Sequence, residues 1–300
     1  MQVPAILLVC ILPAAAQQAT TIRTDVSLVE LQAKVIDSEG HAISGLTKDA
    51  FRLFIDDVPR DITAFQGEDA PVTAGIVIDN SASMAPKRDE VIAAALAFAR
   101  ASNPRDQMFV VHFNDRARLG LPLDTPFTGS ITELEAAVAT FHLGGTTAFY
   151  DALLLAESQF RRAVYSRKVL LTITDGGDNS SHATLAEALG GALRAGIVVY
   201  SIGIFDENDP YRNPQVLSKI ARDTGGEAFF PRQIADIATI CRGTAGEIRQ
   251  QYGLAFNSGV EDGAYHRIRL TVSDPKYGPL QVQTRLGYIA RQPAESSNPR

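Results

Sequence analysis

The chain has 300 residues, with 28 Lys and Arg against 34 Asp and Glu, a net charge of −6. With 21% charged and 45% hydrophobic side chains it falls outside the disordered and fibrous classes, and its length suits one large domain plus a small one. The negative balance argues against nucleic acid or an anionic lipid surface as the main partner.

Residues 1–16 have the pattern of a secretory signal. Ala5-Ile6-Leu7-Leu8-Val9-Cys10-Ile11-Leu12 is a short apolar core, and Ala14-Ala15-Ala16 before Gln17 is a small-residue cleavage site. The run is too short to span a bilayer as a helix, so no membrane insertion is expected after cleavage. The expected location is outside the inner membrane, periplasmic or extracellular. Met1-Gln2-Val3-Pro4 carries no basic residue, a departure from the usual signal pattern. Once Cys10 is removed only Cys241 remains, which excludes an intramolecular disulfide.

Residues 17–70 form an amino-terminal β segment. Val26 to Val35 partly alternates, Asp37-Ser38-Glu39-Gly40 is a turn, and Phe51-Arg52-Leu53-Phe54-Ile55 alternates again before Asp56-Asp57. Ile62 to Phe65 adds a further strand. Thr47 is placed to cap one helical turn.

Residues 71–251 change to alternating strands and helices. Strands are expected at 73–78, 107–113, 168–174, 197–204 and 227–230, with an antiparallel edge strand near Arg118-Leu119-Gly120-Leu121. Most are short apolar runs without alternation, as expected of strands covered on both faces. Helices are expected at 87–101, 131–141, 148–164, 183–195, 214–223 and 233–250, with Ser130 and Glu133 in capping-box positions. The pattern implies an α/β, doubly wound, mostly parallel sheet with helices on both faces. Right-handed crossovers then gather the loops that follow the strands at one edge.

Residues 252–290 return to β character, with strands at 252–256, 267–272 and 280–286, and the polar tail 291–300 is expected to be disordered. The two β segments are expected to pair into one small module flanking the α/β core.

Three loops carry the chemistry. Asp79-Asn80-Ser81-Ala82-Ser83 follows the apolar strand 73–78 and offers one carboxylate and two hydroxyls at alternate positions. Thr174-Asp175-Gly176-Gly177-Asp178-Asn179-Ser180-Ser181 follows strand 168–174 in the same manner. Gly144-Gly145-Thr146-Thr147 precedes the helix at 148. Hard oxygen donors of this kind suit Mg²⁺, Mn²⁺ or Ca²⁺ better than zinc or copper. Ligands bind beyond the carboxyl ends of strands in such sheets, so Asp79 and Asp175 converge if their strands are neighbours. His112 lies in an apolar strand and is expected to be a core residue. Asp178, Asn179 and Ser180 are expected to serve turns.

The D-x-S-x-S loop, the Gly-Gly-Thr-Thr segment and the Thr-Asp-Gly segment, in this order, resemble the metal-ion-dependent adhesion site of von Willebrand factor A domains. The resemblance covers residues 72 to about 250. Gly45 to Phe51 and Arg285-Leu286-Gly287-Tyr288 are similar to the flanks of secreted bacterial proteins built on that domain. The resemblance implies Asp79, Ser81, Ser83, Thr147 and Asp175 as metal residues, with Thr146 as the alternative threonine. It implies a non-catalytic module whose divalent cation, Mg²⁺ first, holds an acidic side chain of a protein partner. It also permits a regulated version in which the helix 233–250 moves on binding. Two other classes stay open at this point, a metal-dependent hydrolase and a structural subunit with a vestigial site. The hydrolase lacks support from any G-x-S-x-G, H-E-x-x-H, P-loop or G-x-G-x-x-G pattern.

Overall fold

The computed structural model describes residues 27–140, 143–175, 177–205 and 212–292. The expected signal and most of the expected tail lie outside the described residues.

Alternation in the amino-terminal segment produces β1 (Leu28–Ile36), β2 (Phe51–Ile55), β3 (Val58–Arg60) and β4 (Ile62–Gln66). β1 buries Leu31, Ala33 and Val35, and β2 buries Phe51, Leu53 and Ile55, the period of two that puts one face inward. β2 and β3 are joined by Asp56 and Asp57, both at positive φ, a primed hairpin turn that short polar side chains tolerate. The turn before β2 is a 3-10 turn at Lys48–Ala50, and Thr47 makes no side-chain cap bond to it.

The α/β unit follows as β5 (Thr73–Asp79), α1 (Arg88–Ala101), β6 (Gln107–Phe113), β7 (Ala117–Leu119), α2 (Ile131–Ala139), α3 (Phe149–Phe160), β8 (Lys168–Thr174), α4 (Leu185–Ala195), β9 (Ile197–Gly203), α5 (Pro214–Thr224), β10 (Ala228–Phe229) and α6 (Ile237–Arg249). The sheet order is β10-β9-β8-β5-β6-β7. Every pairing is parallel except β6 with β7. All of β5 and β9 is buried, the signature of strands covered on both faces. Gly75 in β5 is demanded by packing, since a Cβ there would lie 2.5 Å from the Phe109 ring and 2.6 Å from Leu170.

Several helix bounds differ from expectation, and the helix expected from 233 begins only at Ile237, after a 3-10 turn at Ile234–Asp236. The helix expected from 87 is preceded by a 3-10 turn, Ala82–Lys87, containing Pro86, whose missing N–H and fixed φ discourage a longer α-helix. The helix expected to run to 164 stops at Phe160, because Arg161, Arg162 and Ala163 bond to carbonyls three residues back and tighten the chain out of α geometry. Capping agrees better. The Ser130 hydroxyl accepts from the Glu133 N–H at 3.4 Å, and Thr184 and Glu187 form a full capping box on α4.

The carboxyl-terminal segment forms β11 (Tyr252–Asn257), β12 (Tyr265–Val272), β13 (Gln281–Gln283) and β14 (Gly287–Ile289). The single strand expected at 280–286 is therefore two strands in two sheets. The break falls at Thr284 and Arg285, where the chain lies against Gly225, at φ 88°. A Cβ on Gly225 would come within 2.4 Å of the Arg285 nitrogen.

Two four-stranded sheets result, β13-β1-β11-β4 and β14-β12-β2-β3. β11 lies between β1 and β4, and β12 between β2 and β14, so each sheet is built from both chain segments. Leu31, Val35, Phe51, Leu53, Tyr252, Phe256, Leu270 and Tyr288 share one buried core, as in a small sandwich. Arg167, just before β8, clasps the junction with the α/β unit. Its guanidinium donates to Ala70 O at 3.1 Å, Ile248 O at 3.0 Å and Gln251 O at 3.3 Å, tying both chain crossings to the base of the parallel sheet.

Candidate metal centre

β5 and β8 are adjacent and parallel, with Ile78 opposite Ile173. That register carries Asp79 and Asp175 out at the same carboxyl edge of the sheet. Both are only 2% exposed. Asp79 Oδ1 accepts from the Ser81 N–H at 2.8 Å, and its Oδ2 accepts from the Thr174 hydroxyl at 2.6 Å. Burial and, after it, the charge of Asp175 push the Asp79 carboxyl up to about 7, against the lowering by those two hydrogen bonds. Two carboxylates held apart from water and repelling one another form a site that a cation relieves.

The hydroxyls lie beside them. Ser81, buried, and Ser83, exposed, have their Oγ atoms 3.1 Å apart. The loop that bears them is fixed on both sides. Asn80 N donates to Phe113 O at 2.7 Å, while Ala82 N donates to Gly145 O at 3.3 Å and Gly144 N to Asn80 O at 2.9 Å. Gly144 and Gly145 have φ of 129° and 82°, values that explain the glycine pair. The next two residues separate clearly: Thr146 is exposed, and Thr147 is 5% exposed. Thr147 N donates to Asn179 Oδ1 at 2.8 Å, and Asn179 N returns a bond to Thr147 O at 3.0 Å. The three loops are thus linked to one another by hydrogen bonds.

The sequence reading missed several supports. Thr174, which orients Asp79, was visible only as the residue before Asp175. Asn80 bridges three elements: its Nδ2 donates to His112 Nδ1 at 3.0 Å and its Oδ1 accepts from Arg88 at 3.0 Å. His112 is the expected core residue, with Nε2 2.7 Å from Ala137 O, and burial lowers it to about 4. A proton on Nε2 satisfies both contacts in the neutral ring.

The amino terminus of α3 is met by side-chain oxygens from the loop after β8. The Tyr150 N–H already donates to Asp178 Oδ2 at 3.0 Å, and the Asp151 N–H to Ser181 Oγ at 3.1 Å. Asp178 and Asn179 are therefore caps for a neighbouring segment, and the helix end is occupied by the protein's own oxygens. Phe149 is packing, buried with its ring 5.7 Å from Phe113.

Among the described residues no group of three or more His, Cys, Asp or Glu is placed to hold a metal ion. The donors gathered here are two carboxylates and the hydroxyls of Ser and Thr. This set fits a hard divalent cation in its chemistry.

A doubly wound α/β domain with a hydroxyl-rich loop site at its carboxyl edge is the class these features define. The model of the von Willebrand factor type A domain matches residues 75–241, more than half of the chain, and the chain belongs to that family. Solved structures agree in fold. A von Willebrand factor type A protein from Catenulispora acidiphila is 17% identical with a TM-score of 0.54, over 91% of this chain and 76% of that one. Proximal thread matrix protein 1 of the mussel byssus, with a zinc-occupied MIDAS motif, is 20% identical with a TM-score of 0.52, over 65% and 50% of the two chains. The vWF domain of the type V pili tip protein Mfa5 from Porphyromonas gingivalis is 13% identical with a TM-score of 0.50, over 60% and 95%. No protein of curated function matches the chain in sequence. Among the described residues no helix is long and apolar enough to cross a membrane.

Proposed function

We propose that Asp79, Ser81, Ser83, Thr147 and Asp175 hold a divalent cation, and that this cation binds an acidic side chain of a protein partner. Domains of this family are generally interaction modules, and the reading extends that role to this chain as an exported, non-catalytic binding protein. The observation that carries it is the pair Asp79 and Asp175 at one sheet edge, with Asp79 raised by burial and then by its neighbour's charge. Such a pair is costly without a cation. Both oxygens of Asp79 already accept hydrogen bonds, which favours its acting through water, with Ser81 and Ser83 binding directly. A cation held mainly by neutral hydroxyls keeps enough charge to attract an anionic oxygen. Mg²⁺ is the first choice, Mn²⁺ and Ca²⁺ fit the same donors, and the zinc in the mussel protein's motif makes zinc worth including in titrations.

The test is capture of proteins on the immobilised mature chain in Mg²⁺ and in chelator, with Asp79→Ala as control. Partner retained only by the wild type in Mg²⁺ is the expected result. Equal retention in chelator would remove the metal from the mechanism.

A further inference from the structure

The opposite end of the α/β unit presents a cleft of about 230 Å³ between α4 and strands β1 and β14. Four basic residues line it (Lys168, Arg194, Arg285 and Arg291) and a single acidic one, Glu30. Arg285 is 5% exposed. Its Nη1 donates to Leu193 O at 3.0 Å and its Nη2 to Glu30 O at 2.6 Å. Its Nε has no hydrogen-bond partner, and among the described residues no carboxylate forms an ion pair with it. Lys168 is half-buried and donates to a backbone carbonyl, Ala195 O, at 3.2 Å. Arg194 and Arg291 are exposed at the rim.

Both cations hydrogen-bond only to carbonyl oxygens. Nearby carboxylates act on them without an ion pair, Glu30 on both and Glu157 on Lys168. They leave the four cations lining the cleft in excess, where a buried charge is ordinarily paired. The carbonyls explain how Arg285 is held. They do not explain why three further cations line the same small cleft. We propose that this cleft binds a small oxyanion, a carboxylate or a phosphate group. The guanidinium and ammonium groups supply the charge-assisted donors such an anion needs. The volume, below the range of drug-sized pockets, limits the ligand to a group of a few heavy atoms or the tip of a larger molecule.

The experiment is calorimetry and thermal melting of the full chain in chelator, with inorganic phosphate and malonate as probes. Sodium chloride of equal ionic strength is the control. Saturable binding, with the Tm raised beyond the chloride control, is expected. Stronger binding of phosphate would assign a phosphate group and stronger binding of malonate a carboxylate. Arg194→Gln, at an exposed position, and Lys168→Met should each weaken binding by about tenfold or more, while Asp79→Ala leaves it unchanged. Phosphate and malonate acting no differently from chloride would overturn the proposal, as would equal affinity in Arg194→Gln and Lys168→Met. Loss of binding in Asp79→Ala alone would place the anion at the other edge of the sheet and also overturn it.

Discussion

The two ends of β8 carry opposite charges in the protein interior. At its start Arg167 and Lys168 enter the junction with the sandwich, where Arg285 joins them from the carboxyl-terminal segment. At its end Thr174 and Asp175 meet Asp79. The cations at the base are answered by backbone carbonyls, whose orientation is set by helix ends and chain crossings. They are built into the fold. At the top, Asp79 accepts from an N–H and a hydroxyl, and burial together with the charge of Asp175 outweighs those bonds and pushes it towards its protonated form. The base is a structural clamp with a small cleft, and the top gathers two buried carboxylates with Ser and Thr hydroxyls.

The largest effect should come from breaking the clamp. Arg285→Met leaves the carbonyls of Leu193 and Glu30 without their donors inside the protein. Each buried group left unsatisfied costs about 1–3 kcal/mol, so urea unfolding should show a loss of roughly 3 kcal/mol or more. A loss below about 1 kcal/mol would show that the base does not depend on this guanidinium.

At the top edge the sign reverses. Asp79 is raised from 3.8 to about 7, so without metal its contribution is complete below about 4 and is lost as the pH rises to about 7. Asp79→Asn keeps the neutral form at every pH. It should stabilise the metal-free protein at pH 8 by roughly 2 kcal/mol, while removing the response to divalent cations. Lower stability of the variant in chelator would contradict the reading of the carboxylate pair.

His112 provides a sharper pH test of the same edge. Its value falls from 6.5 to about 4, so it contributes stability above about 6.5 that is lost as the pH falls to about 4. In the metal-free wild type this trend opposes that of Asp79, and stability should change little between these limits. In Asp79→Asn the opposing Asp79 trend is gone, and stability should climb more steeply with pH across the window than in the wild type. A flat profile in the variant, followed by chemical denaturation at several pH values, would show that His112 is not held neutral as described.

The smallest effect on stability belongs to Lys168→Met, which removes a half-buried cation together with one bond to Ala195 O. A change within about 1 kcal/mol is expected. A loss as large as that of Arg285→Met would make Lys168 part of the clamp.

How far these features were legible follows the range of the interactions. β5 and β8 could be read because a short, mostly apolar run without alternation is a local signal, and each leads into a polar loop opened by an Asp, Asp79-Asn80-Ser81 and Asp175-Gly176. Their adjacency, on which the meeting of Asp79 and Asp175 depended, was not legible in the local pattern and comes from the sheet order. The caps of α3 were not legible, since Asp178 and Ser181 reach it from a loop about thirty residues onward. The split between β13 and β14 was hidden because Arg285 sits in an alternating run, and only the approach of Gly225 and the inward turn of the guanidinium reveal the break. Interleaving of the two β segments was expected in outline, but which strands pair depends on side chains from both ends of the chain. Nothing in the local pattern marks Arg167 and Arg285 as buried, because Arg is normally a surface residue.

The central claim is that the top edge is built around a cation. Isothermal titration of Mg²⁺ into the metal-free chain, beside Asp79→Asn and Asp175→Asn, tests it most directly. Saturable binding by the wild type near one ion per chain, with a matching rise in Tm and none in either variant, is the predicted result. No heat and no change in Tm for the wild type with Mg²⁺, Mn²⁺, Ca²⁺ or Zn²⁺ would contradict it.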